Sequence, residues 1–370
     1  MSIRLRTLLI LGAVCACMVP FAQAEDAPGG PDAKETKAVA AKAIAYLRAH
    51  QGDDGSFSPK LAGPGISAVV ATGLLRNGLS LNDPMLAKLM AYLEKSVKAD
   101  GGVYDKALAN YTTSVAIMAF SEANGDHRYD SVINKAIAFV KQLQSGATEG
   151  SAEDPRYGGL GYDGKSRPDM SNTQYFLNAM EAAGVSKDDP AVKKALIFVS
   201  RCQNLPGENN DQAFAKKTSE DDRGGLVYNP LANTQRDQTP QGGLRSAGAM
   251  TYGGLKSFLY AGVGKDDARV QNALRWIRAH YTLDANPGMG QAGLFYYYHS
   301  FAKAMSALGE ESFTDSKGVK HYWRRDLFEA LKKRQRADGS WINSGDRAFN
   351  EIDPNLATAF GLMALGYCGK

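Results

Sequence analysis

The chain has 370 residues, a formal net charge of +4 at pH 7 and a hydrophobic fraction of 44%. An apolar share of this size can supply a large buried core, and it excludes a protein that is disordered over most of its length. The near-neutral charge argues against nucleic acid as the main partner, because nucleic-acid-binding proteins concentrate Lys and Arg.

The first residues have the pattern of a secretory signal. Arg4 and Arg6 precede an apolar run over 8–19, and the small-residue stretch "AQA" ends at Ala24. We therefore predict a signal peptide over 1–24, with export to the periplasm or the cell exterior.

The rest of the chain is predicted to be a flexible segment over 25–35 followed by one domain over 36–370. Cleavage before Cys17 would instead leave a lipid-anchored protein. Once the signal is removed, no other segment is long and apolar enough to span a membrane.

The predicted domain repeats a unit of four parts. An Asp near a helix N-terminus opens an amphipathic helix, a Gly-rich turn with an aromatic residue follows, and a second, more apolar helix ends the unit. Two copies of the first half are "GVSKDDPAVKKALIFVSRCQ" (184–203) and "GVGKDDARVQNALRWIRAHY" (262–281). The Gly–aromatic turns lie at 54–57, 100–104, 158–162, 224–228, 292–296 and 338–341.

Each turn leads into a helix rich in Ala, Gly and Ser. An amphipathic helix has one wet face, whereas a helix that is apolar on most faces must be enclosed. Six pairs satisfy both demands in a closed double ring with the apolar set inside, an all-α (α/α)6 toroid. An open solenoid is the alternative, and it needs polar capping repeats. The apolar helices are predicted over 65–77, 111–123, 172–183, 247–261, 297–308 and 355–367.

Two residue types that could suggest metal sites have structural interpretations. The Asp–Asp pairs at 188–189 and 266–267 recur at the same repeat position ahead of a helix, which is typical of N-caps. Cys202 and Cys368 are the cysteines outside the signal sequence. They could form one disulfide in an exported protein, or they could be two buried thiols.

A motif joins the amphipathic helices to their turns: an aliphatic residue, three spacers, Gln, and then Gly with an aromatic residue. This motif resembles the QW-type repeat of the squalene–hopene cyclase and prenyltransferase superfamily. The resemblance covers essentially the whole predicted domain and implies the toroid, in which the repeated Gln and Trp tie each outer helix to its turn and carry no chemistry. Copies lie at 47–51, 140–144, 199–203 and 331–335, with degenerate copies at 93–97 and 277–281.

A ring of this kind places its candidate site where the inner helices begin. The partial positive charges of six helix N-termini converge there. Polar and aromatic residues cluster at these starts, as in sites that recognise a ligand, although each could also be an ordinary helix-start residue. The candidate cavity-mouth residues are Tyr111, Asp169, Asn172, Gln174, Arg245, Tyr252, Tyr298, His299 and Asp353.

The stretch "DMSNT" (169–173) lies where a cyclase of this superfamily would carry its acid. Protonating an alkene needs a strong carboxylic acid supported by a neighbouring carboxyl group. The acid motif of a cyclase is Asp-x-Asp-Asp-Thr. Asp169 and Thr173 match its first and last residues, but Ser171 and Asn172 replace the two Asp residues between them. Neither a hydroxyl nor an amide can protonate an alkene, so cyclase chemistry is not expected.

A prenyltransferase of the superfamily would bind zinc through Asp, Cys and His. The segment 295–308 resembles the His-bearing part, with His299 at the ligand position. The partner segment 244–252 offers Ser246 and Gly248 instead of Asp and Cys. Because one imidazole does not make a zinc site, we predict no metal and no cofactor.

Toroids of this shape also host polysaccharide lyases and glycosidases. Asp169 with Asp353 could supply a carboxylate pair, and Tyr298 and His299 with Arg245 could abstract a proton. The sequence favours binding of an apolar or amphipathic small molecule, or of a partner protein, in the central cavity. The alternative is an enzyme of uncharacterised chemistry, either terpenoid-modifying or similar to a lyase or glycosidase.

Two long polar segments, 145–156 and 204–245, extend the third and fourth turns. Loops of this length are uncommon in compact domains unless they serve a function. We expect the second segment to elaborate one rim of the ring, with a tolerated insertion as the alternative.

Overall fold

The computed structural model describes residues 29–146, 152–232, 234, 237–346 and 348–369. Within these ranges the molecule is almost entirely helical. Its outer helices are α1 (Ala33–His50), α4 (Pro84–Lys95), α6 (Asp130–Gln142), α8 (Pro190–Arg201), α10 (Ala268–His280) and α12 (Trp323–Arg334). Its inner helices are α3 (Gly65–Arg76), α5 (Ala109–Glu122), α7 (Met170–Ala182), α9 (Gly248–Tyr260), α11 (Leu294–Leu308) and α13 (Pro354–Cys368).

The inner helices form a closed ring. Each contacts the next in chain order, and α13 contacts α3. The outer helices pack around them, with α4 on α3, α6 on α5, α8 on α7, α10 on α9, α12 on α11 and α1 on α13. The predicted all-α (α/α)6 toroid is confirmed.

The two sets of helices differ in burial as their composition predicts. The outer helix α10 buries a single stripe that includes Val270, Ala273 and Ile277, the three-to-four-residue spacing of an amphipathic helix. The inner helix α11 is buried along almost its whole length, including polar side chains such as His299. An inner helix therefore has no wet face on which its polar residues could be solvated.

The predicted inner helices begin and end within three residues of the observed ones. Helix α1 begins at Ala33, so residues 33–35 of the segment predicted to be flexible are helical. The carboxylates of Asp189 and Asp267 accept backbone N–H groups at the starts of α8 and α10, which confirms both as N-caps. The predicted signal peptide, 1–24, lies outside the described residues.

The sequence patterns did not predict four short elements. Helix α2 (Pro59–Ala62) precedes α3, and a 3-10 turn covers Ala215–Lys217. Between α11 and α12, strands β1 (Phe313–Thr314) and β2 (Lys320–His321) form an antiparallel pair. Of these, α2 matters for the site described below.

Four outer helices are each followed by a glutamine, and each glutamine is hydrogen-bonded to the first turns of the next outer helix in its ring. The side-chain nitrogen of Gln144 donates to the carbonyl of Gly158 in the following turn and to that of Ala191 in α8, both at 2.9 Å. Gln51 and Gln203 repeat this arrangement with α4 and α10. Gln335 does the same with α1, so this bond joins the last repeat to the first and helps to close the ring.

The turn glycine that each glutamine contacts is needed for space as well as for conformation. Gly158 has a φ of +83°, and a Cβ there would lie 1.9 Å from the carbonyl oxygen of Lys194 in α8. Two residues later, the N–H of Leu160 donates to the Thr173 hydroxyl of α7 at 3.0 Å. Thr173 thus joins a turn to its inner helix.

Charged side chains gather where the inner helices end. Arg76 Nε lies 2.6 Å from Glu122 Oε1. The Glu181 carboxylate contacts Lys256 and lies 3.9 Å from Lys303. Burial lowers the pKa of Lys256, and the nearby charges of Lys303 and Arg76 act in the same direction. We call this group, one residue from each inner helix, the charged plug: Arg76, Glu122, Glu181, Lys256, Lys303 and Tyr367.

The question of a disulfide is settled for the two cysteines. Cys202 and Cys368 are both free and buried, so the alternative of two thiols holds and no bond joins them. Cys202 caps the end of α8, whereas Cys368 ends α13. In the described part of the chain, every helix is too short or too polar to cross a bilayer.

Candidate functional site

A cavity of ≈490 Å³ lies at the N-terminal ends of the inner helices, which we call the ring mouth. Leu61 of α2, Ile66 of α3 and Leu356 of α13 give it an aliphatic side. Asn229 and Asp237, from the long segment between α8 and α9, give it polar groups. The lining is therefore apolar with a smaller polar part, which is the usual composition of small-molecule sites.

The cavity has an aromatic wall, defined here as Tyr111, Tyr175, Tyr296, Phe349 and Phe360. Tyr296 is at its centre, stacked on Phe349 with ring centroids 5.4 Å apart and on Tyr175 at 6.0 Å. Phe360 lies 5.8 Å from Tyr296, and Tyr111 meets Tyr175 edge-on at 5.1 Å. Such offset and edge-on pairs hold one another in place, so the wall is a preformed surface.

The residues that begin α7 bond to one another beside this wall. The two carboxylate oxygens of Asp169 accept the backbone and side-chain N–H groups of Asn172, both at 2.8 Å. Burial raises the pKa of Asp169 to about 6, although the bonds from Asn172 oppose the shift. Asp169 is thus a helix cap, and an acid with this pKa is far too weak to protonate an alkene.

The hydroxyl of Ser171 has a different partner. Its Oγ lies 2.9 Å from the Tyr296 hydroxyl, which the side-chain amide of Gln174 also contacts. Ser171 and Gln174 therefore orient the central ring of the aromatic wall. At the two positions where a cyclase would hold carboxyl groups, this chain uses Ser171 to hold Tyr296 and Asn172 to hold Asp169.

A buried glutamate holds the other side of the mouth. Glu351 accepts the N–H of Tyr296 at 2.7 Å and that of Phe295 at 3.2 Å, so it caps α11 from a different part of the chain. Its pKa is raised to about 7 by burial, which outweighs the hydrogen bonds from Asn343 and from α11. Asp346 accepts the N–H of Glu351 at 2.8 Å, and this fixes the loop that carries Phe349.

Of the predicted site residues, four belong to this region. Tyr111 and Asn172 line the cavity. Asp169 is hydrogen-bonded to Asn172, and Gln174 contacts the Tyr296 hydroxyl.

The other five predicted residues do not line this cavity. Arg245 is exposed and lines an adjacent pocket of the rim segment, which shares Tyr228 and Asp237 with the mouth cavity. Asp353 caps α13 and accepts the Ser58 hydroxyl at 2.8 Å. Tyr252 packs against Tyr297 and Phe301, and the Tyr298 hydroxyl donates to Leu283. The fifth, His299, lies deeper in the ring.

His299 lies in the bore, between the ring mouth and the charged plug. It borders a small void of ≈10 Å³ together with Tyr175 and Tyr296 from the wall and Lys256 and Lys303 from the plug. Burial holds its pKa well below the usual value, and the nearby charges of Arg76 and Lys303 act in the same direction. His299 and Arg245 line different cavities, so the predicted proton-abstracting set is not assembled.

Three tyrosines of the site come from the Gly–aromatic turns, and sequence reasoning missed them. Tyr162, Tyr228 and Tyr296 end the third, fourth and fifth turns, and all three line the cavity. In the third turn the core residue is Leu160, and Tyr162 stands two residues further on. A signal was therefore present: a tyrosine placed beyond the residue that fills the core.

The predicted elaboration of the rim contributes directly to the cavity. Tyr228, Asn229, Ala232 and Asp237 of the 204–245 segment line it. The segment therefore forms part of the rim and supplies part of the polar lining of the cavity.

Residues 61–219 match the family model of the squalene-hopene cyclase C-terminal domain. The resemblance to the terpenoid cyclase-like superfamily is confirmed. The matched stretch contains inner helices α3, α5 and α7, and with them the "DMSNT" segment. No curated protein sequence matches the chain significantly.

Solved structures with a similar fold include proteins of unrelated activity. A polysaccharide lyase is 13% identical, with a TM-score of 0.52, over 90% of this chain and 96% of that one. A D-mannose isomerase is 12% identical, with a TM-score of 0.53, over 91% and 97%. The type II terpene cyclase MstE from Scytonema is 13% identical over 91% and 98%, with a TM-score of 0.35. Likeness at these identities describes the fold and leaves the chemistry open.

Proposed function

We propose that the protein binds a small amphipathic molecule in the cavity at the ring mouth. The observation that carries this proposal is the composition of the cavity: an aromatic wall and aliphatic side chains, with polar groups from the rim segment. Its ≈490 Å³ falls within the roughly 300–1,000 Å³ typical of small-molecule sites. The apolar part of a ligand would contact the wall, and its polar groups would face the polar side chains of the cavity, on α7 and on the rim segment.

Binding is favoured over catalysis because the buried carboxylates of the mouth are already committed. Both oxygens of Asp169 accept from Asn172, and those of Glu351 accept from α11 and Asn343. A general acid or base must reach the substrate with its own oxygen. Neither Asp169 nor Glu351 lines the cavity, so the enzymatic alternative has less support.

Export is part of the proposal. It rests on the signal-like pattern of residues 1–24 and agrees with a ligand that is taken up outside the cytosol. N-terminal sequencing of the protein recovered from the periplasm or medium tests it, and an intact Met1 there would contradict cleavage.

Titration with N-phenyl-1-naphthylamine, a neutral fluorescent amphiphile, tests the binding site. We expect saturable enhancement with one site per chain. Leu61→Trp, at a lining residue that is 42% exposed, should weaken binding at least tenfold because the larger side chain occupies the cavity. Ile197→Trp, on the outer surface of α8 and 38% exposed, is the matched control and should leave the affinity within twofold. Equal effects of the two substitutions would place the probe elsewhere.

A further inference from the structure

Helix α7 carries two buried polar atoms that lack partners. Asn172 and Tyr175 stand one turn apart on α7, and both residues line the mouth cavity. Their side chains are buried, at 1% and 3% exposure. Among the residues that the structure describes, neither Asn172 Oδ1 nor the Tyr175 hydroxyl has a hydrogen-bond partner. Native proteins rarely leave such atoms unpaired, because each loses its bond to water and gains nothing in return.

The polar groups beside Asn172 are already paired with one another. The amide nitrogen of Asn172 donates to Asp169, and the Tyr296 hydroxyl is bonded to Ser171 and Gln174. The Tyr111 hydroxyl interacts with that of Tyr175, and by donating to it would leave the Tyr175 hydrogen for a further acceptor. Because Asn172 and Tyr175 both line the cavity, a polar group of a bound molecule can pair with them there.

The chemistry of the two atoms selects the group. Asn172 Oδ1 can only accept a hydrogen bond, whereas the Tyr175 hydroxyl can donate one or accept one. A hydroxyl satisfies both, since it donates to Asn172 and accepts from Tyr175. A ketone would leave Asn172 unpaired, and a carboxylate would face the amide oxygen and the nearby Asp169.

An ammonium group is also disfavoured. A buried cation needs a carboxylate of its own, and both oxygens of Asp169 are occupied by Asn172. The polar end that reaches α7 is therefore neutral.

We infer that the ligand of the mouth cavity is an alcohol: an apolar skeleton with a neutral hydroxyl that donates to Asn172 Oδ1 and accepts from Tyr175. This inference rests on the proposed function, because it names the chemical class of the molecule bound there. The skeleton contacts the aromatic wall and the aliphatic side, and the hydroxyl meets α7.

Adamantane and 1-adamantanol form a rigid pair that differs only in one hydroxyl, so they isolate its contribution. Their Kd values are measured by displacement of N-phenyl-1-naphthylamine, and the quantity compared is the ratio of the alcohol's Kd to the hydrocarbon's. In Tyr175→Phe this ratio should rise at least fivefold over wild type. The variant loses the hydroxyl that pairs with the alcohol, whereas binding of the hydrocarbon depends only on the shape of the cavity. In Tyr260→Phe, whose hydroxyl donates to Val185 away from the cavity, it should stay within twofold.

Asn172→Leu is the second variant, and it should raise the same ratio in the same direction. Asn172→Leu also removes a hydrogen bond to Asp169, so its thermal unfolding is measured alongside. If Asn172→Leu does not fold, Tyr175→Phe alone tests the inference. Adamantan-2-one and 1-adamantylamine complete the series, and neither should show a ratio that depends on Tyr175 as strongly. A ratio unchanged in Tyr175→Phe overturns the alcohol while leaving amphiphile binding intact. Failure of the wild type to bind 1-adamantanol overturns the alcohol, and failure to bind N-phenyl-1-naphthylamine overturns both.

Discussion

The two ends of the bore differ in charge and in what their residues contact. At the ring mouth, Asp169 and Glu351 cap inner helices, and an aromatic wall lies beside them. At the charged plug, Arg76, Lys256 and Lys303 lie near the ends of inner helices and pair with glutamates. The mouth thus holds buried acidic groups, whereas the plug holds basic groups paired with the acidic groups of Glu122 and Glu181.

Helix dipoles favour part of this arrangement. Six parallel inner helices give the mouth a partial positive charge and the plug a partial negative one, which favours carboxylates at the first and cations at the second. Burial outweighs this effect, since it raises the pKa of Asp169 and Glu351 and lowers that of Lys256. The two ends also differ in how far their polar groups are paired within the protein. The plug pairs its charges within the protein, whereas the mouth leaves Asn172 and Tyr175 with unpaired atoms. This difference agrees with the proposed ligand site at the mouth and with a structural role for the plug.

The largest expected effect comes from a deletion that affects both ends of the bore. Deleting residues 325–370 takes away α13, which supplies Leu356 and Phe360 to the mouth and Tyr367 to the plug. Without α13 the inner ring cannot close, so we expect cooperative thermal unfolding to be lost. Differential scanning calorimetry measures it, and a sharp transition in the truncated protein would count against a closed ring as the folding unit.

The next effect concerns the mouth and depends on pH. Asp169 has a folded pKa of about 6, raised from 3.8 by burial, so its contribution to stability is complete below pH 3.8 and is lost as the pH rises through 6. Relative to Asp169→Asn, the free energy of unfolding of the wild type should fall by about 3 kcal/mol across that window. Urea unfolding at intervals between pH 3.5 and 7 measures it.

Asp163→Asn is the control for that experiment. Hydrogen bonds from the backbone of Lys165 and Ser166 lower the pKa of Asp163, so its contribution has the opposite sign and is lost as the pH falls. If both variants differed from wild type by an amount independent of pH, the assignment of Asp169 as a buried carboxyl would be wrong.

A smaller effect is expected from a single substitution in the plug. Arg76→Met leaves the Glu122 carboxylate, 33% exposed, without its partner, and we expect the free energy of unfolding to fall by about 2 kcal/mol. Binding of N-phenyl-1-naphthylamine should change less than twofold, since the plug does not line the mouth cavity. Arg128→Met breaks an exposed pair with Asp126 and should leave the free energy of unfolding nearly unchanged. A large loss of affinity in Arg76→Met would show that the two ends are coupled.

The sequence alone determined the fold because the fold is repeated. Six Gly–aromatic turns and twelve helical segments carry the same alternation of wet and enclosed faces, and errors in one copy are corrected by the others. The glutamines illustrate this regularity: Gln144 and Gln335 make equivalent bonds in distant repeats. Helix ends were accordingly predicted to within three residues.

The site was predicted less well, and α11 shows why. The helix was expected from 297 but begins at Leu294, so Tyr298 and His299 lie further along it than their predicted place at the helix opening. Tyr296, His299 and Lys303 follow one another down the bore, while Tyr298 faces the loop before α11. A shift of three residues changes which side chains meet at the mouth, because side chains advance about 100° per residue around a helix.

Sequence by itself determined that this chain is a ring of helix pairs and that the acid of a cyclase is replaced at Ser171 and Asn172. The tertiary structure decided what fills that place. Ser171 holds Tyr296, Asn172 holds Asp169, and Glu351 reaches α11 across 55 residues of chain to complete the mouth. Local periodicity indicates which face of a helix is buried. Contacts between distant segments form only when the ring closes, so no local sequence pattern could predict them.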